Sequence, residues 1–276
     1  MAAASSNILI PCLTYHRLHE GGGPAEGFLR AFSIEVKRFR EHLEALPQAG
    51  YVAVPLSDYF VWQQGSQPPP RPIFLTFDDG WASNLLLAQP ELRRLSMPWT
   101  LFLTADRQAA AFREGGKLDR ALTDDEMAAL SAEGVSIQSH GLTHRPFTEL
   151  TESELCRELF ESRARIEALT NQPVEWLASP YGLADRRVET AARQAGYRGL
   201  ASGLTGANRL LETKLIPLRR LGVRPDWSGE QLLAALSPRA LARAARIGDF
   251  KRRVRLILGH RLSSRLRAAL RGGTAC

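Results

Sequence analysis

From residue 8 to residue 201 the chain repeats one unit, a short apolar run followed by a longer amphipathic one. This alternation limits the fold more than any other feature of the sequence. Ile8–Tyr15 reads as a strand. Ser33–Ala49 reads as a helix with Val36, Phe39, Leu43 and Leu46 on one face. Tyr51–Val54 and Ile73–Phe77 read as strands, the second a continuous apolar run of the fully buried kind. Helices over Leu85–Leu95, Thr123–Glu133, Thr151–Thr170 and Arg186–Ala195 then alternate with strands over Trp99–Thr104, Val135–Ser139, Val174–Ala178 and Gly196–Ala201. Thr151 with Glu154 three residues on is a capping-box pattern, and Thr123 is a plausible cap. Such alternation requires a parallel sheet with helical crossovers, either a closed barrel or an open doubly wound sheet. The turn after the first strand lacks G-x-G-x-x-G, so a dinucleotide-binding sheet has no specific support, whereas 276 residues suit one α/β barrel.

Polar residues cluster where the expected strands end. IFLTF runs into Asp78, Asp79 and Gly80; VSIQS runs into His140, with His144 four residues on; VEWLAS ends at Pro180-Tyr181-Gly182; ILIPCLTY ends at His16. In a barrel these C-terminal ends share one rim, where active sites of such barrels lie. Taken alone, Asp-Asp-Gly reads as a turn and the two histidines as solvated loop residues. Together they read as chemistry. Neighbouring carboxylates leaving a buried strand repel unless a cation or proton is shared, and a metal resolves this if one carboxylate ligates while its neighbour acts as base on a water. Two histidines and a carboxylate suit Zn²⁺, Fe²⁺, Co²⁺ or Ni²⁺. His16 is the best-placed neutral-pH proton donor; His19 is the other histidine near the rim, while His42 falls in the first helix and His260 in the basic tail.

These residues resemble the polysaccharide deacetylase family, the NodB-homology domains of carbohydrate esterase family 4. The similarity is carried by TFDDG (Thr76–Gly80), SHGLTH (Ser139–His144) and SPYG (Ser179–Gly182). The opening LTYHRL (Leu13–Leu18) is similar to the subgroup of poly-N-acetylglucosamine deacetylases, in which the motif bearing the general acid is permuted to the N-terminus. The resemblance spans residues 8–225 and implies a distorted (β/α)7 barrel. It implies Asp78 as general base, His16 as general acid, and Asp79, His140 and His144 as ligands of one divalent metal ion, zinc first. It implies an oxyanion contact from the backbone N–H of Tyr181, in the segment Pro180–Gly182. Trp81, Tyr181 and Trp227 are candidates for stacking on sugar faces, with packing in loops or core as the alternative for Trp227. The third motif departs from the family: Leu177, Ala178 and Ser179 precede Pro180, with no arginine to orient the base, so Arg219 or Arg220 is the candidate cation.

The overall charge of +7 is unevenly placed. Residues 238–276 hold eleven Arg/Lys and one acid, Asp249, leaving 25 basic and 28 acidic residues in the rest. We divide the chain into a barrel (residues 1–236) and a basic amphipathic helical tail (237–276), where Val254, Leu258, Leu262, Leu266 and Leu270 recur every four residues. Such a tail either packs on the barrel with a solvated face or lies on an anionic membrane surface through residues 238–271. No nucleic-acid-binding module accompanies it. Cys12, Cys156 and Cys276 form neither a metal knuckle nor a disulfide framework, and the N-terminus lacks a secretory pattern. The expected location is cytoplasmic, at the inner membrane face if the tail binds lipid.

The expected function is hydrolysis of an N-acetyl group on an amino-sugar glycan or a lipid-linked saccharide precursor. The alternatives are hydrolysis of another amide, such as a formamido sugar, and a non-catalytic glycan-binding barrel.

Overall fold

The computed structural model describes residues 8–22, 28–109, 120–211, 213 and 215–250. In chain order the strands and α-helices are β1 (Ile10–Tyr15), β2 (Arg17–His19), β3 (Ser33–Glu35), α1 (Val36–Gln48), β4 (Val52–Ala53), α2 (Asp58–Gln63), β5 (Pro72–Asp79), α3 (Gln89–Arg94), β6 (Thr100–Leu103), α4 (Asp124–Ala132), β7 (Ser136–Ser139), α5 (Glu152–Thr170), β8 (Trp176–Ala178), α6 (Arg186–Gln194), β9 (Gly199–Ala201), β10 (Ala207–Asn208), β11 (Ile216–Leu218), β12 (Leu221–Gly222) and α7 (Gly229–Ala235). Residues 238–250 form a further helical segment.

Strands β1, β5, β6, β7, β8 and β9 pair side by side, all parallel. One interrupted strand completes the ring. β11 pairs with β9, as Ile216 with Gly199 and Leu218 with Ala201. After Arg219 and Arg220, β12 pairs with β1, Leu221 opposite Leu13. The split strand therefore bridges the two ends of the row, which gives a distorted (β/α)7 barrel. The remaining edge of β1 is covered by antiparallel β10, Ile10 facing Asn208.

Strand residues divide between two apolar clusters with the period of two that a pleated strand imposes. Leu75, Phe77, Leu101, Ile137, Leu177 and Leu200 join Phe39, Leu43, Leu92, Leu130, Leu155 and Val188 of the surrounding helices. Ile10, Cys12, Phe74, Phe102, Trp176 and Ala178 form the second cluster, inside the ring. Tyr59 and Phe60 of α2 belong to it, and Phe60 stacks on Trp176 and Trp62 on Phe74, so α2 plugs the end where the strands begin.

The caps at Thr123 and Thr151 form, each hydroxyl accepting from the backbone N–H of the glutamate three residues on. Two segments differ in kind from the sequence reading. Ser33–Glu35 is not the first turn of a helix but a strand paired with β2, Leu18 facing Ile34. Asn84–Ala88 is a π-helical turn ahead of α3. Pro90 explains the second difference, because it has no N–H to give to Leu86 and its ring would crowd that carbonyl in a regular α-helix. No helix among the described residues is long and apolar enough to cross a membrane.

Candidate active site

Strand β5 delivers two adjacent carboxylates to the rim and its pleat sends them apart. Asp78 is in phase with Phe74 and Thr76, so it faces the barrel interior. There Arg220, from the break between β11 and β12, meets it with two parallel hydrogen bonds, Nη1 to Oδ1 at 2.6 Å and Nη2 to Oδ2 at 2.8 Å. Asp78 is buried, and Arg220 is only slightly exposed. Burial by itself raises the Asp78 pKa, but the Arg220 guanidinium holds it below the usual carboxylate range. Arg219 does not share this work. It forms a two-point pair with Asp249 in the 238–250 helix, 3.1 and 3.2 Å.

Asp79 would point outward if the strand continued. Instead its φ is +77°. A non-glycine residue there carries a steric cost, and such costs concentrate at functional sites. Its Oδ2 accepts from the indole N–H of Trp81 at 2.9 Å. Its Oδ1 is buried and has no hydrogen-bond partner. That oxygen lies 3.5 Å from His140 Nε2 and 3.2 Å from His144 Nε2. Ligands held tetrahedrally at about 2.0–2.1 Å stand about 3.3 Å apart, so the spacing and the His₂Asp donor set both fit a divalent cation. Its three donor atoms lie within 4.8 Å of one another. Burial lowers the His140 pKa to about 4, so its imidazole is neutral. Its Nδ1–H donates to the Ala178 carbonyl at 2.9 Å, which leaves the Nε2 lone pair facing Asp79. Burial also acts to lower the His144 pKa, but the Asp79 carboxylate beside it raises it overall.

His16 follows β1, with Nε2 3.9 Å from Asp78 Oδ2, and its ring packs on Phe32 at 4.7 Å. Asn84, on the π-helical turn, donates to the His16 carbonyl at 2.7 Å and accepts from the Trp81 N–H at 3.0 Å, so one amide ties the His16 loop to the Asp79 loop. Tyr181 is half exposed, its ring 5.0 Å from that of His144 and its φ +58°. Gly182 presses on Gly203, whose Cα would lie 2.7 Å from any Cβ at residue 182. His16, Phe32, Trp81, Tyr181 and Gly182 line a cleft of about 270 Å³, walled on one side by Ser202–Thr205.

Residues 65–200 match the polysaccharide deacetylase family. This segment is a polysaccharide deacetylase domain. YxkH of Bacillus subtilis, named as a polysaccharide deacetylase, is 25% identical over 222 residues, covering 80% of this chain and 73% of that one. Two solved structures share the fold. Deacetylase PplD of Streptococcus pyogenes, solved with acetate, superposes with a TM-score of 0.72 at 22% identity, covering 84% of this chain and 99% of that one. IcaB of Ammonifex degensii gives 0.69 at 21%, covering 83% and 97%.

In this deacetylase domain Asp78, Asp79, His16, His140, His144 and Tyr181 meet at one cleft, and Pro180, just before Tyr181, is buried. Trp81 also reaches the cleft, but at 2% exposure it offers little face to a sugar and serves as the partner of Asp79. Trp227 lies against the helix layer of the core, outside the cleft lining. Sequence reading missed Asn84 and Glu158. Glu158, buried on α5, accepts from the N–H groups of Leu142 and Thr143 at 2.7 and 3.0 Å and from the Thr143 hydroxyl, and so fixes the loop between the two histidines. A glutamate on the core face of an expected helix was the available signal, since a buried carboxylate needs partners.

Proposed function

We propose that the chain is a metal-dependent hydrolase that removes N-acetyl groups from an amino-sugar glycan or a lipid-linked saccharide. The observation that carries this reading is the unlike treatment of two adjacent aspartates. One is clamped by a guanidinium beside an imidazole, and the other faces two imidazoles with an oxygen left without a partner. A divalent cation, zinc first with cobalt, nickel and ferrous iron as alternatives, would be held by Asp79, His140 and His144 and would supply Lewis acidity and a lowered pKa for water.

Asp78 is ionised and oriented by Arg220. Each carboxylate oxygen has a second lone pair, so Asp78 can still accept the proton of the attacking water. His16, with Nε2 3.9 Å from Asp78 Oδ2, donates a proton to the departing amine, a poor leaving group otherwise. The Tyr181 N–H, between Pro180 and Gly182, is the candidate donor to the oxyanion, a contact typically worth about 10²–10³ in rate. The products are acetate and a free amine.

The same rim would serve a formamido sugar or another amide. The pairing of Arg220 with Asp78 supplies the base-orienting cation missing from the third motif and favours catalysis over a glycan-binding barrel. The test is metal content of the purified protein together with acetate release from N-acetylglucosamine oligomers and an N-acetylhexosamine lipid, before and after chelation. One metal per chain and chelator-sensitive acetate release are expected. Bound metal with formate but no acetate released from matched formamido sugars would transfer the reading to that amide, and failure to bind zinc or cobalt would remove it.

A further inference from the structure

The helical segment of residues 238–250 has two unlike faces. Its inner face sits on the wall of the cleft. Gly206 has no room for a side chain, since a Cβ there would lie 2.9 Å from that of Ala245, and a Cβ on Gly248 would lie 3.0 Å from the Thr205 hydroxyl. Thr205 lines the cleft. Leu241 is buried, and Asp249, the one acid of the segment, turns to Arg219. The outer face carries Arg239, Arg243 and Arg246, all exposed, with Ile247 at 43% and Phe250 at 67% exposure. The spacing of these residues is that of one helical stripe. None of the three arginines is paired with a carboxylate among the described residues. The inward turn of the only acid leaves this stripe purely cationic and apolar.

We propose that this stripe docks on an anionic lipid surface and holds the adjacent cleft against the membrane, where it meets an N-acetylated sugar carried on a lipid. The substrate class rests on the deacetylase reading above; the docking does not. Charge complementarity selects the lipid. Arginines spaced along a helix attract acidic headgroups, and an exposed phenylalanine and isoleucine among them gain burial at a bilayer interface that a soluble polyanion does not offer. Residues 251–276 add eight Arg/Lys and no acid to the same end of the chain.

The full chain is sedimented with vesicles of phosphatidylcholine alone and of phosphatidylcholine mixed with phosphatidylglycerol, at low and high salt, with heparin as a soluble polyanion. Binding to the acidic vesicles is expected, weakened by salt. Arg239→Gln, Arg243→Gln and Arg246→Gln together should weaken it roughly a hundredfold, about fivefold per cation. Phe250→Ser should weaken vesicle binding and leave heparin binding unchanged. Acetate release from a soluble N-acetylglucosamine oligomer should be the same in both variants as in the parent chain. Equal binding to both vesicle types, undiminished binding by the triple variant, or binding to heparin without binding to vesicles would each overturn the proposal. Vesicle binding without acetate release would remove the reaction and leave the docking face standing.

Discussion

Asp78 and Asp79 are neighbours in sequence, leave the same strand and are both buried, yet their surroundings are opposite. Asp78 has both oxygens occupied by one permanent cation, Arg220, supplied by the split strand that closes the barrel. Asp79 has one oxygen held by Trp81 and the other facing two histidine nitrogens without a hydrogen bond. His140 is held by the Ala178 carbonyl, and the loop to His144 by Glu158. The Asp78 half is complete as folded; the Asp79 half is arranged for something to be added. Both carboxyls have pKa values below the usual range, so both are charged at neutral pH and only one has its charge offset by a fixed guanidinium. On the proposed reading the pair divides two tasks, holding an ion and accepting a proton, and two local devices set the carboxylates apart: the pleat and one left-handed residue.

The largest expected effect breaks the open half. Asp79→Ala or His140→Ala should abolish metal binding, and acetate release with it, as read by elemental analysis beside the assay. Full metal occupancy in either variant would mean that the ion sits elsewhere. The next substitution separates the halves. Asp78→Asn should retain the metal and lose about 10²–10⁴ in rate, the range of a general base. Loss of metal in that variant would make Asp78 a ligand and collapse the distinction.

Arg220→Lys comes third. Lysine keeps the charge but not the planar two-point fork, so Asp78 is left less firmly oriented. The expected loss is about 10–100-fold in kcat/KM with metal content unchanged. The sign of the pH effect follows from the direction of the shift. Arg220 is the largest influence lowering the Asp78 pKa, so a weaker contact lets that value rise and moves the acid limb of the rate profile to higher pH. An unmoved limb with an unchanged rate would show that the clamp is only structural. Alanine is less informative, since an uncompensated buried carboxylate costs about 3–5 kcal/mol.

Much of this architecture was legible from the alternation of apolar runs, because buried parallel strands and one-faced helices leave strong periodic patterns. The rim was legible because Asp78, His140 and Pro180 stand directly after such runs. The closing strand was not. β11 and β12 together hold five residues, interrupted by two arginines, a pattern with no strand signature of its own. Arg219 and Arg220 were equivalent in sequence for the same reason. Only pairing with β9 on one side and β1 on the other decides which one faces inward. The role of Trp81 was likewise hidden. An aromatic beside a catalytic motif suggests a sugar platform, and its burial against Asp79 depends on the φ of that residue, which composition does not report.

The two arginines offer the smallest and sharpest test. Arg220 meets a carboxylate in the buried interior, Arg219 meets Asp249 at the partly exposed seam with the 238–250 helix. Exposed pairs contribute about 0–1 kcal/mol, because water screens them and two side chains must be ordered. Asp249→Asn should therefore lower Tm by no more than about 4 °C. It should leave acetate release and metal content unchanged, since Arg220 keeps its own backbone contact to Leu204. If Asp249→Asn instead reduced the rate as Arg220→Lys does, the seam and the catalytic base would be one mechanical unit. The docking helix would then act on Asp78 through the break in the closing strand rather than only bringing the cleft to a surface.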